Sequence, residues 1–167
     1  MTRRPSHIVE PGPGQESVWD YPRPPVCAPD GRLVTVLFAG REIARSNAAV
    51  RILETSHPPT FYIPPGDAQV GLLEPSRRSS FCEFKGQAVY YNLRVGGRLS
   101  ENAAWCYPQP LPGYEAIAGC FAFYAGRVDR CTVDGQMVEP QPGGFYGGWI
   151  TPDVVGPFKG EPGTDFW

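Results

Sequence analysis

Apolar and polar positions along this chain come in short, loosely alternating runs, cut by Gly or Pro before any helical period is established. The first firm run, LVTVLF at 33–38, is followed by AGRE at 39–42 and IARS at 43–46, the pattern of a hairpin. A third β segment, VRILET at 50–55, runs into Ser56-His57-Pro58-Pro59, where two prolines forbid a helix, and then into an extended stretch at 60–63. Pro64-Pro65-Gly66-Asp67 opens a turn, and Asp67 is placed to cap a single helical turn at 67–70. Further strands are predicted at 80–84, 88–95, 101–105, 116–124, 128–133 and 137–139. Lys85-Gly86, Gly96-Gly97, Ala125-Gly126 and Asp134-Gly135 supply the turns between them. Apolar strand, Gly-containing turn, Arg and apolar residue recur as LFAGREI, LRVGGRL and FYAGRV, which fits stacked hairpins or any antiparallel meander.

Composition sharpens this picture. Gly 20 and Pro 20 among 167 residues are roughly twice the average usage and argue against a helical bundle. A content of 41% hydrophobic and 13% aromatic residues argues equally against disorder. The expected fold is therefore all-β: one compact antiparallel domain of meandering hairpins with little helix. Residues 1–17 read as a flexible leader, 18–139 as a single β domain, and 140–167 as a Gly/Pro-rich tail. The tail carries Phe145, Tyr146, Trp149, Phe158, Phe166 and Trp167, so parts of it should pack onto the domain. WDYPRPP at 19–25 reads as an ordered, polyproline-like arm lying on the surface.

A net charge of −2 signals no basic face for nucleic acid or anionic lipid. The cations are 13 Arg but only two Lys, Lys85 and Lys159. Five cysteines without a C-x-x-C pair, and an N-terminus without an apolar leader core, lead us to expect reduced thiols in a cytoplasmic protein. No apolar run approaches the roughly 20 residues that span a bilayer. No phosphate-binding glycine loop, nucleophile elbow or zinc helix occurs. We therefore expect no cofactor and no metal site.

Three constellations carry chemistry. Glu54-Thr55-Ser56-His57-Pro58-Pro59 sets a carboxylate and an imidazole at a strand end stiffened by a diproline, as acid–base work needs. Its plain structural alternative is that Glu54 and His57 cap backbone groups where strand becomes loop. Cys82-Glu83-Phe84-Lys85 places a thiol near one of the rare lysines; read as a strand, it puts Cys82 and Phe84 on one face and Glu83 and Lys85 on the other. A buried thiol beside a surface ion pair is the alternative there. Trp105 and Tyr107, with Tyr62, Tyr90, Tyr91 and Trp19, supply enough rings to wall a small-molecule pocket, or simply to fill a core.

The segments VWDYPRPP, RILETSHPPTFYIPP, CEFKG, ENAAWCYP and WITPDVVGPFKGEPGT together resemble domain of unknown function family 427, across about residues 18–163. The resemblance implies a β-tent architecture, which we associate with type B methionine sulfoxide reductases and the thalidomide-binding domain of cereblon. Those relatives often hold zinc through paired cysteines, which are missing here, so no zinc is carried over. The family's nucleotidyltransferase-like label implies carboxylates set for Mg²⁺ beside a Gly-Ser turn, and no such constellation is present. The resemblance singles out Glu54, His57, Tyr62, Cys82, Lys85, Trp105 and Tyr107. The expected function is a pocket for a small, polar, planar ligand. Tyr62, Trp105 and Tyr107 form its walls, Glu54 and His57 its orienting and acid–base pair, Lys85 an anion or carbonyl contact, and Lys85 with Cys82 a weaker reactive pair. The alternatives are a protein-interaction or homo-oligomerisation module without catalysis, and a nucleotide-handling enzyme.

Overall fold

The computed structural model describes residues 4–167, so the first three residues of the expected leader lie outside the described residues. Strands β1 (Glu16–Ser17), β2 (Val26–Asp30), β3 (Val34–Phe38), β4 (Arg41–Ser46) and β5 (Ala49–Leu53) come first. They are followed by β6 (Thr60–Tyr62), β7 (Leu73–Cys82), β8 (Gly86–Val95), β9 (Arg98–Cys106) and β10 (Phe121–Phe123). The chain closes with β11 (Arg130–Val133), β12 (Gln136–Met137), β13 (Glu139–Pro140), β14 (Trp149–Ile150) and β15 (Val154–Val155). The helical segments among the described residues are single 3-10 turns. The protein is all-β and mainly antiparallel, and its open sheets form no closed barrel.

Two four-stranded sheets dominate, in orders β10-β9-β8-β7 and β12-β11-β3-β4, with a three-stranded sheet β2-β5-β6 beside them. A bridge between Ile63 and Phe121 continues the β2-β5-β6 sheet into the β10 edge. The main core lies between these layers and is built on Val34, Val36, Phe38, Ile43, Phe61, Ile63, Leu93, Phe123 and Trp149. Trp149 stacks on Phe61 at 5.1 Å, and its indole N–H donates to the Phe123 carbonyl at 2.8 Å. A separate small cluster of Val18, Trp19, Tyr21 and Val154 pins the N-terminal arm to the tail.

The hairpin turn Ala39-Gly40 has both residues at positive φ, as the tight β3–β4 connection requires. Several sequence expectations are corrected. β2 was not foreseen, because Pro29 sits in its middle; β2 pairs only with β5, so the missing N–H faces away from the sheet. The predicted 116–124 strand shrinks to β10, because a 3-10 turn at Glu115–Ile117 and a left-handed Gly119 (φ 72°) consume its first half. Asp67 caps no helical turn at 67–70; it ends a 3-10 turn, Pro65–Asp67, and accepts a hydrogen bond from Ser46 at 2.6 Å. Of the three AGR-type repeats, two are hairpins and the third is a 3-10 turn at Ala125–Arg127, so they are not three stacked hairpins.

Candidate functional site

Strand alternation builds the site. In β9 the side chains of Ala104 and Cys106 enter the main core, so Trp105 and Tyr107 must face the opposite side. The same rule sends Phe61 and Ile63 into the core and Tyr62 away from it, and sends Ala88 and Tyr90 of β8 to the Trp105 side. The result is a second, aromatic cluster behind the main sheet. Within it the Trp105 indole N–H donates to the Tyr62 hydroxyl at 3.1 Å, with the two rings edge to face at 6.3 Å. Tyr107 lies 6.2 Å from Tyr62, ring to ring. Burial holds the Tyr62 and Tyr107 hydroxyls protonated well beyond neutral pH.

Glu54 and His57 stand where β5 turns into β6. The His57 N–H closes the turn on the Glu54 carbonyl at 3.0 Å. Ser56 between them takes a positive φ of 74°, which costs a non-Gly residue about 1 kcal/mol or more. That backbone is held by two long-range bonds, Ser56 N–H to Val18 O at 3.0 Å and Lys159 N–H to Ser56 O at 2.9 Å. Among the described residues, the Glu54 and His57 side chains cap no backbone group; their partners are side chains. Glu54 pairs with Arg23 at 3.3 Å and approaches His57 Nε2 to 3.8 Å, too far for a direct hydrogen bond.

Gln141 fixes the state of His57. Its Oε1 accepts from the Gly148 N–H at 2.9 Å, and its Nε2 donates to the Lys159 carbonyl at 2.9 Å. The amide can therefore be oriented only one way, and Nε2 also meets His57 Nδ1 at 3.1 Å. Nδ1 must accept, which assigns the proton to Nε2, on the side of Glu54. Burial, together with the charges on Lys159, Arg23 and Lys85, pushes the imidazole down to about 3, so it is neutral at physiological pH. The Tyr146 ring covers it edge to face at 4.7 Å.

Cys82 and Lys85 lie differently from a continuous strand. β7 ends at Cys82 and the chain turns before β8, which folds Lys85 back so that its Nζ meets Cys82 Sγ at 3.3 Å. The same ammonium stands 5.7 Å over the Tyr107 ring. The opposite-face expectation for Cys82 and Lys85 fails because the turn rotates Lys85 out of the strand period.

Glu54, His57, Tyr62, Cys82, Lys85, Trp105 and Tyr107 all line one cleft of about 420 Å³. Tyr90 joins them, whereas Tyr91 and Trp19 belong to other clusters. Sequence reasoning missed Arg23, Gln141, Tyr146 and Lys159, which also line it. Lys159 had one available signal: it is the second of only two lysines. Two phenylalanines stand on the rim, Phe81 72% and Phe145 53% exposed, beside the exposed Glu83. Gly147 is required where it stands, since a Cβ there would collide with the Trp105 ring, 2.7 Å from Cζ3.

Among the described residues, no three His, Cys, Asp or Glu side chains are grouped so as to hold a metal ion. All five cysteines are free thiols. No helix among the described residues is long and apolar enough to cross a membrane.

A family model described as a domain of unknown function, DUF427, matches residues 26–134. The match takes in the seven cleft residues nominated from the sequence, and leaves Arg23, Gln141, Tyr146 and Lys159 on the flanks. Among curated proteins nothing matches.

Proposed function

The chain belongs to the DUF427 family, and we propose that its cleft binds one small, polar, planar ligand between aromatic walls. One observation carries this reading: side chains from distant segments, acidic, imidazole, amino and indole, line a single hollow of about 420 Å³. That volume lies within the roughly 300–1,000 Å³ typical of small-molecule sites. Trp105 and Tyr107 offer ring faces, while Glu54 and the Nε2–H of His57 offer an acceptor and a donor for the ligand's edge.

A catalytic tier follows from the same groups. A neutral imidazole that already carries its proton on Nε2 does not take another there; it polarises a carbonyl or orients a hydroxyl. Glu54, 3.8 Å away, is then the group placed to accept a proton, with Arg23 at 3.3 Å orienting its carboxylate. Nucleotidyl transfer through Mg²⁺ has no fitting donor set among the described residues.

Equilibrating the purified protein against a concentrated cell extract, then denaturing it and identifying what it releases, tests the reading. Wild-type protein is expected to release one compound at near-stoichiometric amount, and a folded Trp105→Ala variant less than a tenth of it. Indistinguishable release from both proteins overturns the proposal.

Exposed Phe81, Phe145 and Phe166 favour a second reading, a module that docks a partner or a second copy. Against it, Trp19 and Tyr21 of the N-terminal arm are buried on the protein's own tail. A dimer in sedimentation at micromolar concentration, lost in Phe81→Ser, would favour docking; a monomer would remove self-association.

A further inference from the structure

The two lysines of the chain both line the cleft, and neither pairs with an Asp or Glu side chain among the described residues. The Lys85 ammonium has a thiol at 3.3 Å and the Tyr107 ring at 5.7 Å. The Lys159 ammonium donates to the backbone oxygen of Trp167 at 3.0 Å and stands 5.7 Å from the Tyr146 ring. The third cation, Arg23, is matched by Glu54. Glu83 is the remaining acid, and it sits exposed on the rim. The side chains lining the cleft thus include three cations, Arg23, Lys85 and Lys159, and two carboxylates, Glu54 and Glu83.

The fold relieves this clustering unevenly. Three cations face a confined, partly apolar space, where charge is screened less than in bulk water; Arg23 has Glu54 at 3.3 Å and Lys159 an oxygen of Trp167, but Lys85 has no oxygen partner among the described residues. They already act on a neighbour, since all three disfavour a charged His57. Several arginines elsewhere on this protein are mated to acids, as Arg45 with Glu42, Arg94 with Glu74 and Arg98 with Asp129. Leaving Lys85 in the hollow with only a thiol and a ring beside it provides for a carboxylate or phosphate brought by something else.

We infer that the ligand is an aromatic anion: a planar ring against Trp105 and Tyr107, bearing a carboxylate or phosphate whose charge is met by Lys85, which stands over the Tyr107 ring. This rests on the reading of the cleft as a ligand site and adds the ligand's charge. Lysine suits the role as a point charge on a flexible stem that moves to either anion. The Nε2–H of His57 supplies one directional hydrogen bond to the same anionic group or to a ring substituent.

Matched small probes test it. Benzoate, phenyl phosphate and benzamide share a ring and differ in charge, and each is titrated while the indole N–H of Trp105 and the ring protons of His57 are followed by NMR. At least one anion is expected to bind tenfold or more tighter than benzamide, and to weaken as salt is raised. Lys85→Met keeps the apolar stem and is expected to cut anion affinity at least fivefold while benzamide affinity changes less than twofold. Whichever anion binds identifies the source of the charge. Equal binding of benzamide and both anions overturns the inference and leaves the cleft a site for neutral ligands. No response to any probe also overturns it, and the extract experiment then decides separately whether the cleft holds a ligand at all.

Discussion

Gln141 and His57, 84 residues apart, are joined by a 3.1 Å contact in which the amide can only donate and the imidazole Nδ1 can only accept. The amide has no freedom to rotate, because the Gly148 N–H and the Lys159 carbonyl claim its two ends. The tautomer of His57 is thereby set by Gln141. His57 presents N–H, not a lone pair, to Glu54 and to any bound molecule.

Replacing Gln141 by Glu reverses this logic. A carboxylate at Nδ1 calls for a proton there and favours imidazolium. We expect His57 in Gln141→Glu to protonate between pH 5 and 7, well above its value of about 3 in the wild type. We also expect a stability loss of about 1–3 kcal/mol, because the Lys159 carbonyl is left facing an oxygen. Nitrogen-15 shifts of the two ring nitrogens, read in a His7→Gln background that leaves a single histidine, check both the tautomer and the titration. A wild-type ring protonated on Nδ1 at pH 7 contradicts the assignment.

Stability should fall on mild acidification for the same reason. The folded value of His57 lies below the 6.5 of a free histidine, so between these values the unfolded chain binds a proton that the folded one does not. Stability is then lost as pH falls from about 6.5 toward 3, by up to about 1.4 kcal/mol per pH unit, or about 2 kcal/mol by pH 5. Urea unfolding at pH 7 and pH 5 measures the loss, and His57→Gln is expected to remove most of it.

Gly147→Ala tests the packing of the cleft wall. The added methyl meets the Trp105 ring, a rigid group with Tyr124 4.6 Å behind it, ring to ring. A loss of about 1–3 kcal/mol is expected, with a changed near-ultraviolet dichroism from the displaced indole. An unchanged melting curve and spectrum would show that the 143–148 loop yields instead.

Trp149→Phe separates core from site. It removes the hydrogen bond to the Phe123 carbonyl and part of the stack on Phe61, at about 2–4 kcal/mol. Trp149 does not line the cleft, so the compound released after equilibration with extract should be the same in identity and amount per folded molecule.

The β class, the hairpin turns at Ala39-Gly40, Gly96-Gly97 and Asp134-Gly135, and one face of the cleft were legible in the sequence, because each is a local property. Gly and Pro spacing excludes helices, Ala39-Gly40 and Gly96-Gly97 signal tight turns, and alternation in 104–107 separates Trp105 and Tyr107 from Ala104 and Cys106. The other face was not legible. Gln141, Tyr146 and Lys159 lie in a stretch rich in Gly and Pro with no period to read, and they reach the cleft only through distant backbone bonds. Trp149 N–H to Pro59 O at 2.8 Å and Lys159 N–H to Ser56 O at 2.9 Å are two of these. Lys85 misled for a smaller reason, a turn of three residues that breaks strand alternation.

Crystals grown from cell-purified protein, without an added ligand, test the binding cleft most directly. The expected result is planar density lying against Trp105 and Tyr107, with a polar atom within hydrogen-bond distance of His57 Nε2. The contradictory result is a hollow closed by Tyr146, Phe145 or the neighbouring side chains, with no space left for even a few ordered waters.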